Sequence, residues 1–338
     1  MRRFHLFHGR WTRLSVLSVA AGAMATVASM AAPSFAGTIT FGSGGNTFNM
    51  EFVTIGNPNN TADTTGTPNP AGRVTYTYDI GKFEVSEDMI NKFNASQSLQ
   101  ITKDTRGTAK PATRVSWNEA ARFVNWLNTS TGGFAAYKFT TSGVNAHIAL
   151  WTAADTLDYD ATNPYRSKRA TYVLPSYNEW YKAAYYNPND STYYDFPNGS
   201  NTAPTPVPSG TGAGTAVYNQ TMAQGPADVD QAGGLSPYGV MGLGGNVWEW
   251  EESSADLANS SGSSTRGIRG GHWFNVSSLL SSSARPLDFT PNDPNAWAVG
   301  FRVASRSSSA AAVPEPSMMV IGTLFGLGGL VAKRRMKK

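Results

Sequence analysis

The sequence predicts an α+β domain of few helices, short strands and long loops. Three observations carry this reading. Helix-capping chemistry precedes an apolar stripe at three places, short runs rich in β-branched and aromatic residues recur between them, and two long stretches fit neither pattern. Those stretches, Gly132 to Arg169 and Asn189 to Pro226, are polar and irregular, the second dominated by Asn, Thr, Ser, Gly and Pro. Loops of that length inside a domain are uncommon and usually functional or poorly ordered. No period of about 20–50 residues repeats, which excludes a solenoid or propeller.

In chain order, residues 37–73 read as a strand-and-loop lead-in with apolar alternation at Thr38 to Phe41 and Met50 to Ile55. Val74, Tyr76, Tyr78 and Ile80 then alternate with smaller or polar residues, the pattern of a half-buried strand. Ser86 caps a first helix whose Glu87 and Asp88 favour its positive end and whose Met89, Ile90 and Phe93 form a stripe. Ser116-Trp117-Asn118-Glu119 and Ser176-Tyr177-Asn178-Glu179 are capping boxes, each leading into an aromatic and alanine-rich helix. The later strands are expected at Val247 to Glu251, Ile268 to Trp273 and Val299 to Ala304, with Glu251 and Glu252 as a solvated acidic edge.

Composition excludes several chemistries. The 338 residues include no Cys, so disulfides, thiolate metal sites and cysteine nucleophiles are absent. Only four His occur, and His5 and His8 fall in the first dozen residues, leaving His147 and His272 for the body. Between residues 37 and 312 lie 18 of the 27 basic and 22 of the 23 acidic residues, a net −4 against +4 for the whole chain. A mildly acidic body offers no footprint for a phosphate backbone, so nucleic acid is not an expected partner. The glycine runs at Gly42 to Gly45 and Gly210 to Gly214 lack the Lys-Ser/Thr of a phosphate loop.

Both ends read as addresses. A basic stretch to Arg13, an apolar stretch from Leu14 through Ala32, and Ser34-Phe35-Ala36 make a secretory signal over residues 1–36, cleaved by signal peptidase after Ala36. Past a linker at residues 306–312, Pro314-Glu315-Pro316 precedes an uncharged apolar helix over 318–332 and a basic tail. Those fifteen apolar positions span roughly 22 Å as a helix, and the flanking lysines can snorkel to complete a crossing. Residues 313–338 resemble the PEP-CTERM sorting signal of Gram-negative bacteria. That resemblance implies recognition by an exosortase and delivery to the cell surface or extracellular matrix, with membrane contact only through this helix.

Within the body, Val115-Ser116-Trp117, Leu174-Pro175-Ser176 through Glu179-Trp180, Gly245-Asn246-Val247-Trp248-Glu249-Trp250, Arg269-Gly270-Gly271, Arg285 and Gly300-Phe301-Arg302 occur in order. As a set they resemble the formylglycine-generating enzyme, or sulfatase-modifying factor, family over residues 74–305, and so imply its fold, a relative of the C-type lectin fold. The resemblance implies a calcium site with carbonyls from Gly245 and Val247 and the Glu249 carboxylate, although Gly242 stands where the family has a side-chain ligand. It also places a copper-binding cysteine pair at the stretch Asn275 to Leu280, which here reads Asn-Val-Ser-Ser-Leu-Leu. Hydroxyls cannot replace thiolates for Cu(I), so no copper site is expected.

Those departures favour an exported, non-catalytic domain that binds a ligand, an extracellular polysaccharide or a surface protein, or joins a polymer matrix. The alternative is an oxidase of sulfatase cysteines working without cysteines of its own. His272, Asn275, Leu280 and Arg285 are the candidate cleft residues, with Tyr185 and Tyr186 as exposed platforms beside the second long loop. His272 is expected to serve local hydrogen bonding rather than general-base chemistry.

Overall fold

The last described strand, at Ala304–Arg306, pairs antiparallel with strands at Tyr78–Gly81 and Tyr172–Val173 and so ties the early and middle parts of the chain together. A computed structural model describes residues 37–253, 259–284, 287–293 and 297–306. Ala36, Arg285, the sorting motif Pro314-Glu315-Pro316 and both apolar segments near the ends lie outside these residues. No helix among the described residues is long and apolar enough to cross a membrane.

The principal elements in chain order are β1 (Gly37–Phe41), β2 (Phe48–Ile55), β3 (Tyr78–Gly81), α1 (Glu87–Ser96), α2 (Trp117–Ser130), β4 (Tyr172–Val173) and α3 (Tyr177–Tyr185). They continue with β5 (Trp248–Trp250), β6 (Arg266–Arg269), β7 (Leu287–Phe289), β8 (Val299–Gly300) and β9 (Ala304–Arg306). One five-stranded antiparallel sheet has the order β1-β2-β3-β9-β4. A four-stranded sheet has the order β7-β6-β5-β8, with β5 and β8 parallel. Residues 37–73 therefore contribute two strands of the main sheet.

Each helix starts where its capping residue allows. Ser86 Oγ accepts from the Met89 amide at 3.3 Å. Ser116 and Glu119 exchange both bonds of a capping box, at 3.2 and 2.8 Å, and Ser176 and Glu179 do the same at 3.3 and 2.7 Å. Such caps contribute about 1 kcal/mol each. Phe48 of β2 stacks near Phe123 and Trp126 of α2, and Phe93 of α1 meets Trp126 edge-on at 5.4 Å, so α2 packs on this sheet and α1 packs on α2. Aromatic pairs of this kind add about 0.5–1.5 kcal/mol each beyond their burial.

Three strands differ from their sequence patterns. The Val74 to Ile80 alternation forms a strand only from Tyr78, and Tyr78 to Gly81 is buried throughout because β3 lies between β2 and β9. The expected strand at Ile268 to Trp273 runs instead from Arg266 to Arg269, since Gly270 and Gly271 turn the chain with φ of +96° and +77°. Val299 to Ala304 divides: β8 joins the four-stranded sheet, β9 joins the five-stranded one, and Phe301, Arg302 and Val303 pass between them.

Glu251 and Glu252 are not a solvated edge, for both are fully buried. Glu252 accepts from Tyr137 Oη at 2.9 Å and Asn163 Nδ2 at 2.6 Å, and lies 3.4 Å from Arg166. Glu251 lies 3.6 Å from Arg269, and burial pushes its carboxyl up to about 8. These partners come from segments distant in sequence, which is why the local Ser-rich context misleads.

Candidate functional site

Beneath the block Gly245 to Trp250, positive φ at Gly245 (+87°) brings its backbone so close to Val217 that an added Cβ would sit 2.2 Å from the Val217 carbonyl. The turn delivers Glu249 into the interior. There its carboxylate accepts from Trp180 Nε1 at 2.7 Å and Arg302 Nε at 2.6 Å, with Arg302 Nη2 completing a bidentate pair. Arg302 also donates to the carbonyls of Gly81, Lys82 and Met241, at 2.8, 3.4 and 2.9 Å. All five guanidinium N–H groups thus have acceptors. Although burial works against it, the Glu249 carboxylate raises the Arg302 pKa above its ordinary value.

This arrangement bears on the calcium site that the resemblance implies. Glu249 is committed to Arg302 and Trp180, and Gly242 supplies no side-chain oxygen. The space a side chain at 242 would enter is taken by the Glu84 carboxylate, 2.6 Å from where its Cβ would be. Glu84 is fully buried, accepts from Asn246 Nδ2 at 2.9 Å, and is pushed above the usual carboxyl range by burial. The implied donor set therefore does not fit a calcium ion here, because a guanidinium already supplies the positive charge. Among the described residues no three His, Asp or Glu side chains group as metal ligands.

The stretch where the resemblance places the family's cysteine pair, Asn275 to Leu280, is built as a closed turn. Asn275 Oδ1 accepts from the His272 amide at 2.8 Å, and the Asn275 amide donates to the His272 carbonyl at 2.9 Å. His272 Nδ1 accepts from the Phe274 amide at 3.1 Å, which fixes the neutral tautomer with its proton on Nε2. The imidazole packs among Trp248, Trp273 and Trp297, at centroid distances of 6.4, 5.1 and 5.1 Å, and burial pushes its pKa down to about 4. Leu280 is fully buried with Ala216 and Tyr218, its Cδ1 3.0 Å from where a Cβ on Gly271 would be. Tyr185 Oη donates to the Leu280 carbonyl at 3.0 Å.

His272, Asn275, Leu280 and Tyr185 are thus brought together by packing and turn bonds, and His272 also borders a small pocket of about 80 Å³ with Trp248, Leu287 and Trp297. Tyr185 and Tyr186 are 1% and 2% exposed, so neither presents a ring to solvent. Tyr186 is covered by Tyr193 and Tyr238, at 5.1 and 6.3 Å. The apolar rings at the end of α3 fill the interior beside it, as most aromatic residues do.

The burial of His272 sets a pH dependence. An imidazole whose folded pKa lies below its unfolded value of about 6.5 takes up its proton more readily in the unfolded chain. Its stabilising effect is complete above about pH 6.5 and is lost as pH falls toward 4. Between pH 7 and pH 4 the natural chain is expected to lose up to about 3 kcal/mol more stability than His272→Gln. Urea unfolding of both proteins at matched pH checks this, and parallel profiles would count against a buried neutral ring.

An open site lies elsewhere. A cleft of about 240 Å³ is lined entirely by polar, charged or tyrosine side chains, including Tyr76, Asp160, Asn163, Arg166, Asn178 and Arg306. Its floor is an ion network. Arg166 is 5% exposed and donates to both carboxylate oxygens of Glu179, at 3.1 and 3.2 Å, while Tyr76 Oη donates to Glu179 Oε1 at 2.7 Å. Against the pull of burial, Arg166 holds the Glu179 carboxyl well below its ordinary range. None of the candidate cleft residues chosen from sequence lines this opening. Its partners are separated by 13 residues (Arg166 and Glu179) and 90 residues (Arg166 and Tyr76), beyond the reach of any local pattern.

The sulfatase-modifying factor enzyme 1-like domain family matches residues 36–307. Among solved structures, the chain is similar to Treponema denticola variable protein 1, with a TM-score of 0.53 and 18% identity over 80% of this chain and 98% of that one. A structure of CarF matches with a TM-score of 0.49 and 19% identity, over 76% and 98% of the two chains. PvdO from Pseudomonas aeruginosa matches with 0.48 and 20%, over 79% and 98%. At these identities the likeness concerns the fold alone, and no curated protein matches the chain. Lacking cysteine, the chain cannot carry out the family's cysteine-dependent oxidation. The match along most of its length and the fold together make this chain a cysteine-free member of the sulfatase-modifying factor enzyme 1-like family.

Proposed function

We propose that the chain is an exported, surface-associated binding domain that retains the family fold without its oxidation chemistry. One observation carries the reading. Where relatives need a reactive pair, Asn275 closes a turn on His272 and Leu280 is packed out of reach of solvent. A neutral imidazole with a pKa near 4 is a weak general base at pH 7 and offers no substitute. The basic and apolar stretches at both ends of the sequence support export and retention by a processed sorting tail, and Arg302 makes calcium unnecessary for the core.

The test is direct. The purified full chain is incubated with copper and a sulfatase-derived cysteine peptide, and the peptide is followed by mass spectrometry. An unchanged cysteine is expected. A formylglycine product that disappears when Asn275 is replaced would overturn the proposal. In the same preparation a calcium chelator is expected to leave the melting temperature unchanged.

A further inference from the structure

We infer that the polar cleft beside the start of α3 binds a single neutral sugar ring, presented at the end of an extracellular glycan; this deepens the binding-domain reading and rests on it. Its hydrogen-bonding capacity is the ground for the assignment. Glu252 fixes the Asn163 amide by accepting from Nδ2, and Asn163 Oδ1 in turn accepts from Asn259 Nδ2 at 2.9 Å. That chain of bonds fixes the orientation of Asn259 and leaves its Oδ1 shut off from water without a donor. Asn178 is oriented in the same way, because its Oδ1 accepts from the Gly72 amide at 2.8 Å. Its Nδ2 has no partner among the described residues.

Across the cleft, Arg306 lies 5.8 Å from the half-buried Tyr76 ring and forms no ion pair among the described residues. Asp160 accepts from Thr162 through one oxygen, at 2.9 and 2.6 Å, leaving the other available. The unspent groups that a ligand can reach are therefore mixed, two donors in Asn178 and Arg306 and an acceptor in Asp160.

Mixed, pre-oriented donors and acceptors suit hydroxyl groups, each of which gives one bond and receives others. An apolar ligand would strand these groups without partners. An anion or a cation would gain little, because Arg306 faces Asp160 and the charge of Arg166 is already answered by Glu179 and Glu252. The cleft volume of about 240 Å³ is below the roughly 300–1,000 Å³ of sites for drug-sized ligands, which limits the occupant to one ring.

The experiment titrates the purified full chain with neutral methyl glycosides, glucuronate and a neutral polysaccharide, reading binding by calorimetry and saturation-transfer NMR. At least one neutral glycoside is expected to bind, and the polysaccharide to bind through its chain ends. Asn178→Asp, which keeps the acceptor for the Gly72 amide and removes the donor, and Arg306→Gln are each expected to weaken binding about tenfold, with unchanged melting temperature. Phe274→Ala, on the exposed side of the His272 turn, is expected to leave affinity unchanged. Glucuronate binding alone, no binding at all, or equal binding by the two cleft variants would overturn the assignment. None of these outcomes produces an aldehyde, so failure here remains distinct from failure of the non-catalytic reading.

Discussion

Arg302→Met is expected to destabilise the fold by about 3–5 kcal/mol, measured by urea unfolding at pH 7. The size follows from what the substitution leaves behind. Glu249 is fully buried and would keep only Trp180 Nε1 as a donor, while the carbonyls of Gly81, Lys82 and Met241 would each lose one. Arg302→Lys keeps the charge but not the planar fork, and should fall between the two. Glu249→Met combined with Arg302→Met removes both charges together. That double variant is expected to recover part of the loss, because a buried pair replaced as a whole leaves no uncompensated ion. A double variant no better than the single would locate the defect in the severed carbonyl bonds rather than in the stranded carboxylate.

Leu280→Ala is expected to destabilise by about 2–5 kcal/mol, the range for emptying a buried leucine site. Gly271, Gly244 and the cluster of Ala216 and Tyr218 surround the side chain, and the first two lack any side-chain atom to move into the void. The upper half of the range is therefore expected. The same measurement bears on function: a small loss would mean that the site collapses or opens easily, against the reading of Leu280 as a plug. Binding of a neutral glycoside should be unaffected, since the cleft shares no lining residue with this cluster.

Local chemistry was legible in the residues where it is decided locally. Ser86, Ser116 and Ser176 announce helix starts because a cap needs only the next three residues, and both capping boxes form with the expected partners. The missing cysteines are equally plain, since an absence needs no coordinates. Tertiary pairing was not legible. Glu251 and Glu252 look solvated beside their Ser-rich neighbours and are buried by Arg269, Arg166 and Tyr137, none within twelve residues. Tyr185 and Tyr186 flank a polar loop and nevertheless face inward, because aromatic surface gains more from burial than a loop boundary can offset. The cleft itself joins residues from Tyr76 to Arg306, and only folding brings them together.

The placement of β9 has a consequence for synthesis. Ala304 to Arg306 lie between β3 and β4, bonded to both, yet they are the last of the described residues to be made. Until they emerge, the main sheet lacks the strand that joins β3 to β4, and Tyr172 and Val173 lack their ladder. The main sheet is thus completed only late in translation, and closing it requires pairing across more than 220 residues of chain. A polypeptide wired in this order can pair β1, β2 and β3 early, but gains the strand that ties β4 to them only when nearly all of the described residues have been made.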